Sequence, residues 1–219
     1  MEKLKKITGH LEVLTDKAQQ VFSGLPQVLP ETFYMAGGTG LALQVGHRIS
    51  IDFDFFTEKE FNEMSRRELI NKLKNLGSCE LIENKEDTLH VRLNGVMLSF
   101  FHYPYKLLKP TIMWHKIQLA QLEDIAPMKL NAIIGRGSKK DFIDLFIISK
   151  SISLKKIFDL CTKKFPNYPS FYLQAARALV FFKDADREPL PTMLINLDWP
   201  EIKKYFETET KKIVHNILS

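Results

Sequence analysis

Cysteine is scarce in this chain of 219 residues, which contains only Cys79 and Cys161. The two residues stand far apart and form no CxxC pair, which argues against a zinc ribbon and against a disulfide-bonded scaffold. Few cysteines are also typical of a protein from a reducing compartment. Because Met1–Leu14 contains lysines but no apolar run long enough for a signal peptide, we expect a cytoplasmic protein.

Long apolar runs, internal repeats and low-complexity tracts are also missing. No stretch of roughly 18 apolar residues occurs, which argues against a membrane-spanning helix. No sign of charge dominates, since 31 Lys and Arg stand against 26 Asp and Glu. The net charge of +5 mildly favours polyanionic partners such as nucleotides or RNA. The chain is long enough for one substantial core or for two small lobes.

The hydrophobic pattern predicts a mixed α/β first half and a helical second half. Apolar residues recur at spacings of three and four from Leu4 to Val21, which predicts an N-terminal helix. We place a domain boundary between residues 108 and 109, so that domain 1–108 precedes a helical lobe at 109–219. The predicted strands are Phe33–Ala36, Ile51–Phe56, Cys79–Glu83, Thr88–Leu93 and Val96–Tyr103, and the predicted helices are Leu41–Val45, Ser65–Leu76, Leu122–Ile134, Ser138–Ser149, Leu154–Phe165, Ser170–Phe182 and Trp199–Leu218.

The most informative segment runs from Gly37 to Asp54. A predicted strand is followed by Gly-Gly-Thr-Gly, a short helix and a second strand that carries Asp52 and Asp54. Glycines let the backbone turn sharply and approach a ligand without a Cβ in the way. Free N–H groups at the start of the following helix favour a bound phosphate, to which the Thr39 hydroxyl can donate a hydrogen bond.

Asp52 and Asp54 alternate with two phenylalanines, so both carboxylates leave the same face of the strand. Their Cα atoms are expected about 6.6–6.8 Å apart from the rise per residue. Two carboxylates on one face repel each other, and a divalent cation removes that penalty. Oxygen ligands combined with substrate phosphates suit Mg²⁺ or Mn²⁺. The glycine turn and the acid pair are each unspecific, but in succession they predict a site for phosphoryl transfer.

Residues 35–56 closely resemble the signature of the AbiEii/AbiGii-type toxin nucleotidyltransferases, which belong to the DNA polymerase β-like superfamily. The resemblance continues through Glu123–Ile133 and Arg136–Leu145, and returns faintly at Phe182–Asp186. It implies an α+β protein, in which a minimal nucleotidyltransferase fold (a small mixed sheet with flanking helices) precedes a helical C-terminal lobe. It also implies an enzyme that moves a nucleoside monophosphate from a nucleoside triphosphate to an acceptor hydroxyl. The acceptor implied is RNA, with tRNA favoured, and the partner implied is an antitoxin protein.

The resemblance also implies roles for individual residues. Gly37 and Gly38 would cradle the triphosphate, while Asp52 and Asp54 would bind the metal ion. Lys129 would meet phosphate as a point charge. Asp141 would join the active site from the helical lobe. The implied catalytic residues are Asp52, Asp54, Lys129 and Asp141, and the implied nucleotide- and phosphate-binding residues are Gly37, Gly38, Thr39, Arg48, Ser50, Arg136 and Lys140.

Several of these residues have a purely structural interpretation as well. Ser138 and Asp141 have the spacing of a capping box, which needs no catalysis. Asp144 is either solvated or paired with Lys140. Lys129 lies in an otherwise apolar helix, from which its long side chain can reach the surface. A lysine run such as that at residues 136–140 is usually a solvated loop.

The chain departs from the superfamily at one position. Polymerase β-like enzymes usually carry a third acid on a later strand, and here Ser99 stands where that acid is expected. A serine is neither a carboxylate ligand nor a general base near neutral pH. Either Asp141 supplies the missing carboxylate, or the chemistry proceeds without it. The alternative function is a catalytically silent module that binds nucleotide or a partner protein; a phosphohydrolase with the same metal site is a third reading.

Overall fold

The computed structural model describes residues 9–218, which fall into two compact units. The first unit comprises the residues up to Lys106 together with Pro110–Gln121. The second comprises Leu107–Lys109 and the residues from Leu122 onward. The sequence placed the division between residues 108 and 109, whereas here residues 110–121 return to the first unit. Among the described residues, no helix has the length and apolar character needed to cross a membrane.

The first unit is built on a mixed sheet of seven strands in the order β3-β4-β5-β2-β1-β7-β6. The β2–β5 and β1–β7 pairs are parallel and the other pairs are antiparallel. The strands are β1 Tyr34–Met35, β2 Phe53–Thr57, β3 Cys79–Lys85, β4 Thr88–Leu93, β5 Val96–His102, β6 Ile112–Trp114 and β7 Ile117–Leu119. The helices are α1 Asp16–Gly24, α2 Gly37–Val45 and α3 Glu63–Lys74, with 3-10 turns at Leu11–Val13 and Leu25–Gln27.

One face of this sheet forms the core of the first unit. Alternate residues of the central strands, such as Phe53 and Phe55 on β2 and Phe100 on β5, are fully buried in a cluster with residues of α1 and α3. The intervening residues point to the other face because side chains alternate along a strand. Asp54 therefore lies on the face opposite to the core, as the Asp-Phe-Asp alternation predicts.

The second unit is helical. Its helices are α4 Leu122–Arg136, α5 Lys139–Ser149, α6 Leu154–Lys164, α7 Phe171–Ala178, α8 Lys183–Arg187 and α9 Trp199–Leu218. A fully buried ion pair joins α4 to α6, with Lys164 Nζ 2.6 Å from Asp124 Oδ1. The same carboxylate accepts hydrogen bonds from the backbone N–H groups of Leu108 and Lys109. Asp124 thereby fastens the segment 107–109 to the helical unit.

The predicted N-terminal helix is confirmed only from Asp16 onward, as α1, and is wrong for residues 11–14, while its predicted positions Leu4 and Ile7 lie outside the described residues. Leu11–Val13 form a 3-10 turn, Leu14 is extended, and the Thr15 hydroxyl caps α1 by accepting a hydrogen bond from Ala18 N. The N-cap threonine begins a new helix at this point. The spacing of apolar residues alone does not reveal such a helix start.

Two other features differ from the prediction, namely the start of α3 and a hairpin between β6 and β7. Helix α3 begins before Ser65, since Asn62 is its N-cap and accepts a hydrogen bond from Ser65 N. The β6–β7 hairpin was not predicted. Its turn residues His115 and Lys116 both adopt positive φ, at 46° and 63°, without the glycine or asparagine that usually marks such a turn.

Candidate active site

The glycines after β1 form the first turn of α2, which begins at Gly37 and not, as predicted, at Leu41. The first hydrogen bond within α2 runs from Gly40 N to Ala36 O, at 3.0 Å. The N–H groups of residues 37–39 therefore have no partner within the helix, as is general for a helix start. Together with the helix dipole they favour an anion at this end of α2.

Gly37 brings this turn against Asp54. The backbone N–H of Ala36 donates to Asp54 O at 3.1 Å, which fixes the register of the turn on β2. Gly37 has φ +65°, and a Cβ added to it would lie 2.6 Å from Asp54 Oδ2. Glycine is thus required both by the backbone conformation and by the approach of the carboxylate.

Asp52 immediately precedes β2 and is exposed, while Asp54 within the strand is half-buried. The loop that carries Asp52 is tied to α2 by buried hydroxyls. Thr39 Oγ1 lies 2.6 Å from Ser50 Oγ and also donates a short hydrogen bond to Asp52 O. These two residues, predicted to contact phosphate, therefore hold the acidic loop in place in this structure.

Arg48 belongs to the same loop and is likewise buried, with only 5% of its surface exposed. Its guanidinium donates a hydrogen bond to Ile49 O. Gly38, by contrast, is partly exposed in the first turn of α2. A phosphate contact by Arg48, Thr39 or Ser50 stays a prediction, and the backbone of Gly37 and Gly38 is the better-placed donor set.

The acidic pair fits a divalent metal ion that is shared with a substrate. Within residues 9–218, no group of three or more His, Cys, Asp or Glu side chains is placed to hold a metal ion by itself. Mg²⁺ commonly binds through one or two carboxylates and completes its shell with water and substrate phosphates. Asp54, which lies against the first turn of α2, and Asp52 two residues before it match that donor set.

Ser99 lies on β5 directly beside Asp54, since the parallel register pairs these two residues. The position expected to carry a third acid is therefore next to the acidic pair, and it holds a hydroxyl. Ser99 Oγ lies 3.0 Å from His90 Nδ1 on β4. The sequence analysis did not single out His90, because its position opposite Ser99 depends on strand pairing.

The remaining predicted catalytic residues lie in the second unit, where they form a buried ionic cluster. Lys129 Nζ on α4 is 3.0 Å from Asp141 Oδ1 and 2.6 Å from Asp144 Oδ2 on α5. Arg136 binds Asp141 with two hydrogen bonds of 2.6 and 2.9 Å. Burial raises the pKa of Asp141, but the charge of Lys129 and the hydrogen bond and charge of Arg136 outweigh it and hold that pKa below its usual value. Lys140 is exposed on α5.

Three structural interpretations of these residues are wrong. Ser138 does not cap α5 with its side chain, because its hydroxyl donates to Glu188 Oε2 at 2.7 Å. Asp144 is fully buried against Lys129 rather than solvated or paired with Lys140. The Lys129 side chain does not reach the surface, since only 5% of it is exposed.

Comparison with known proteins connects this site to a family. The model of the family "Nucleotidyl transferase AbiEii toxin, Type IV TA system" matches residues 23–107, which include the glycine turn, both acids and Ser99. A protein of Aquifex aeolicus (strain VF5) described as uncharacterized is 38% identical over 190 residues, which cover 84% of this chain and 89% of that one.

Two solved structures share the fold at low sequence identity. MenT4, a nucleotidyltransferase toxin from Mycobacterium tuberculosis H37Rv, superposes with a TM-score of 0.52 at 15% identity over 91% of this chain and 86% of that chain. JHP933 from Helicobacter pylori superposes with a TM-score of 0.50 at 15% identity over 93% of this chain and 96% of that chain. The predicted fold class, a nucleotidyltransferase sheet with flanking helices and a helical C-terminal part, is confirmed. By these matches the chain is a nucleotidyltransferase and belongs to the AbiEii nucleotidyltransferase toxin family.

Proposed function

We propose that this protein transfers a nucleoside monophosphate from a nucleoside triphosphate to a hydroxyl of RNA, with tRNA as the acceptor class, and that it acts as the toxin of a toxin–antitoxin pair. The observation that carries the proposal is the contact between the two halves of the site. The Gly37 turn, with its free N–H donors, lies directly against the Asp54 carboxylate. Backbone donors for phosphate and a carboxylate for the metal ion thus lie next to each other.

Each residue has a separate task in this reaction. The backbone N–H groups of Gly37 and Gly38 bind phosphate oxygens at the start of α2, and the Thr39–Ser50 pair keeps the loop of Asp52 in place. Asp52 and Asp54 would hold Mg²⁺, which when bound neutralises charge on the phosphates and supports in-line displacement at phosphorus. The moderate positive charge of the chain suits an RNA acceptor.

Lys129, Asp141, Arg136 and Lys140 are proposed as supporting residues from the helical unit. Lys129 and Arg136 are proposed as phosphate-binding cations, and Asp141 would hold both of them in position through the ion pairs described above. Lys140 is exposed and so is accessible to phosphate.

The test is incubation of the purified protein with each α-labelled nucleoside triphosphate, total tRNA, and either Mg²⁺ or EDTA. We expect label to enter tRNA with Mg²⁺ and not with EDTA, and the productive triphosphate identifies the nucleotide. Replacing tRNA by ribosomal RNA or by single-stranded DNA tests the acceptor class. Metal-dependent nucleotide binding with no incorporation into any nucleic acid would contradict the proposal, and release of free phosphate would indicate hydrolysis instead.

Gly37→Ala is expected to reduce transfer by at least about 10²-fold, comparable to the loss of a single transition-state hydrogen-bond donor. The added methyl group would meet the Asp54 carboxylate at 2.6 Å in a backbone conformation that alanine rarely adopts. Turn and acid must therefore move apart. The measurement is steady-state transfer together with the nucleotide dissociation constant, which should rise.

Gly135→Ala in α4 is the matched control for this variant. A Cβ at Gly135 meets nothing within 4 Å, and its backbone is not at positive φ. This control should keep wild-type transfer and be slightly stabilised, because alanine favours a helix interior over glycine. Equal activity of Gly37→Ala and Gly135→Ala would show that the close approach has no role.

A further inference from the structure

Four polar residues form a row across the sheet face opposite to the core. The strand registers pair Glu83 on β3 with His90 on β4, His90 with Ser99 on β5, and Ser99 with Asp54 on β2. Neighbouring strands lie about 4.8 Å apart, so each side chain is adjacent to the next one in the row. The row leads directly from the acidic pair away along the sheet.

A β-bulge in β3 places the acid at the end of the row. Up to Leu81 the register pairs Leu81 with Val91, and it then shifts so that Glu83 stands opposite His90. Without the shift the residue opposite His90 would be Ile82, which has no polar group. Bulges often change the direction of a side chain near an active site. This bulge places the carboxylate of Glu83, instead of the side chain of Ile82, opposite His90.

The contacts along the row favour one tautomer of the His90 ring. Its Nδ1 lies 3.0 Å from Ser99 Oγ, and its Nε2 lies 3.5 Å from Glu83 Oε2. The second distance is long for a hydrogen bond, but a carboxylate there favours a proton on Nε2. Nδ1 is then an acceptor for the Ser99 hydroxyl. The edge contact of the ring with Phe101, at 5.4 Å, fixes its orientation.

Glu83 is suited to hold this tautomer because it stays ionised. The hydrogen bond from Lys85 lowers the pKa of Glu83, burial raises it, and the charge of Lys85 lowers it further, so that the net pKa is below its usual value. Glu83 side-chain exposure is 32% and that of His90 is 26%, whereas Ser99 is buried at 6%. The hydroxyl nearest to Asp54 is thus the least hydrated member of the row.

We propose that Ser99 and His90 form a proton relay that replaces the missing third carboxylate of the site. The proposal rests on the transfer function proposed above. As the acceptor oxygen forms its bond to the α-phosphorus, its proton passes to Ser99 Oγ and the Ser99 proton passes to His90 Nδ1. The bond from the α-phosphorus to the bridging oxygen breaks, and pyrophosphate leaves with that electron pair. Ser99 contacts the acceptor, while His90 acts through Ser99 and Glu83 positions His90.

His90→Gln tests the relay because glutamine keeps a hydrogen-bonding group near Ser99 but cannot accept a proton. We expect kcat to fall by about 10²-fold or more, the usual contribution of a general base. The KM for the nucleoside triphosphate and its metal-dependent binding should be unchanged. His102→Gln is the matched control, since His102, on the neighbouring strand β5, forms a similar pair with Asp87, at 2.9 Å, outside the row.

Restoring a carboxylate separates a relay from a structural role. In the His90→Gln background, Ser99→Asp supplies a base of its own, and kcat should recover to within about tenfold of the wild type if proton acceptance is what was lost. A histidine that only supports the fold would leave this double variant as slow as His90→Gln. Ser99→Ala gives a second measurement that needs no new carboxylate. Its loss should equal that of His90→Gln, and the two losses should not add, because the residues act as one unit.

Four results would overturn the relay. A His90→Gln variant as fast as the wild type would remove it and leave the transfer function standing. Additive losses in the Ser99→Ala and His90→Gln double variant would show two independent roles. A nucleotide that stays covalently attached to Ser99 after denaturation would make that serine an acceptor instead of a relay. Absence of transfer by the wild type itself would overturn the proposed function and the relay together.

Discussion

Asp52→Asn with Asp54→Asn is expected to lower transfer by at least about 10³-fold, because a metal ion contributes several kcal/mol of transition-state stabilisation and each 1.4 kcal/mol or so is a factor of ten. Asparagine keeps the size of the side chain but removes the negative charge that binds a divalent cation. The backbone contacts of both positions, from Ala36 N to Asp54 O and from Thr39 to Asp52 O, do not involve the replaced group.

The loss should therefore be one of metal and nucleotide binding and of chemistry, with the fold retained. The measurements are transfer over a range of Mg²⁺ concentrations and thermal unfolding of the same preparations. Each single variant should need more Mg²⁺ than the wild type, and the double variant should not be rescued by any concentration. Asp159→Asn, at an exposed position on α6, is the matched control and should behave as the wild type. Transfer that survives in the double variant would show that the acidic pair is not the metal site.

The face of the sheet on which Asp54 lies was predictable because its geometry is local, although Asp52 precedes the strand and α2 begins at Gly37 instead of Leu41. Within one stretch of about 20 residues, glycines mark a turn that needs positive φ, and alternation with phenylalanine places Asp54 on the non-core face. The family resemblance rests on the same residues, and the fold class was implied by that resemblance. Ser99, singled out as the position of the missing third acid, lies beside Asp54 because β5 pairs with β2 in parallel register.

What escaped prediction depends on contacts between distant segments or on turns with unusual residues. The link between Thr39 and Ser50 joins a helix to a loop 11 positions away, and no local pattern announces it. His90 is opposite Glu83 only because β3 contains a bulge. The bulge could not be predicted from the alternation of apolar and polar residues, which assumes a regular strand. The signal available in the sequence was the polar His90 between buried Leu89 and Val91, and it identifies a face but no partner.

The ionic cluster of the helical unit was misread for a related reason. Ser138 has the local spacing of a capping residue, but its hydroxyl is taken up by Glu188, 50 positions later. A capping pattern describes only what a residue can do within its own helix. For Lys129 a surface position was the structural alternative to a phosphate contact, because single charges in an apolar pattern usually lie at the surface. For Asp144 the alternatives were solvation or pairing with Lys140. Their mutual pairing between α4 and α5 is what makes burial of both tolerable.

Lys129→Met is expected to destabilise the helical unit by about 3–5 kcal/mol, the usual cost of removing one partner from a buried ion pair. Methionine fills a similar volume, so the cost comes from charge and not from a cavity. The variant deprives Asp141 and Asp144, both completely buried, of the ammonium that contacts them. The measurement is urea unfolding at pH 7. Lys140→Met is the matched control on α5, where the side chain is exposed and the change should stay within about 0.5 kcal/mol.

The pH dependence identifies the cause of this loss. In the wild type the pKa of Asp141 is held below its usual value, so its stabilising contribution is present above the unfolded-state pKa of about 3.9 and is lost only as the pH falls through the lower folded value. Between pH 7 and 5 it therefore hardly changes. In Lys129→Met, burial favours the protonated carboxyls, so lowering the pH stabilises the variant. The difference in free energy of unfolding between the wild type and the variant should therefore shrink toward pH 5. A free-energy difference that stays constant over this pH range would show that the variant is destabilised by altered packing and not by the unpaired charges. If transfer per folded molecule also falls, Lys129 has a second role toward the phosphates; if it does not, the lysine serves only to neutralise the two aspartates.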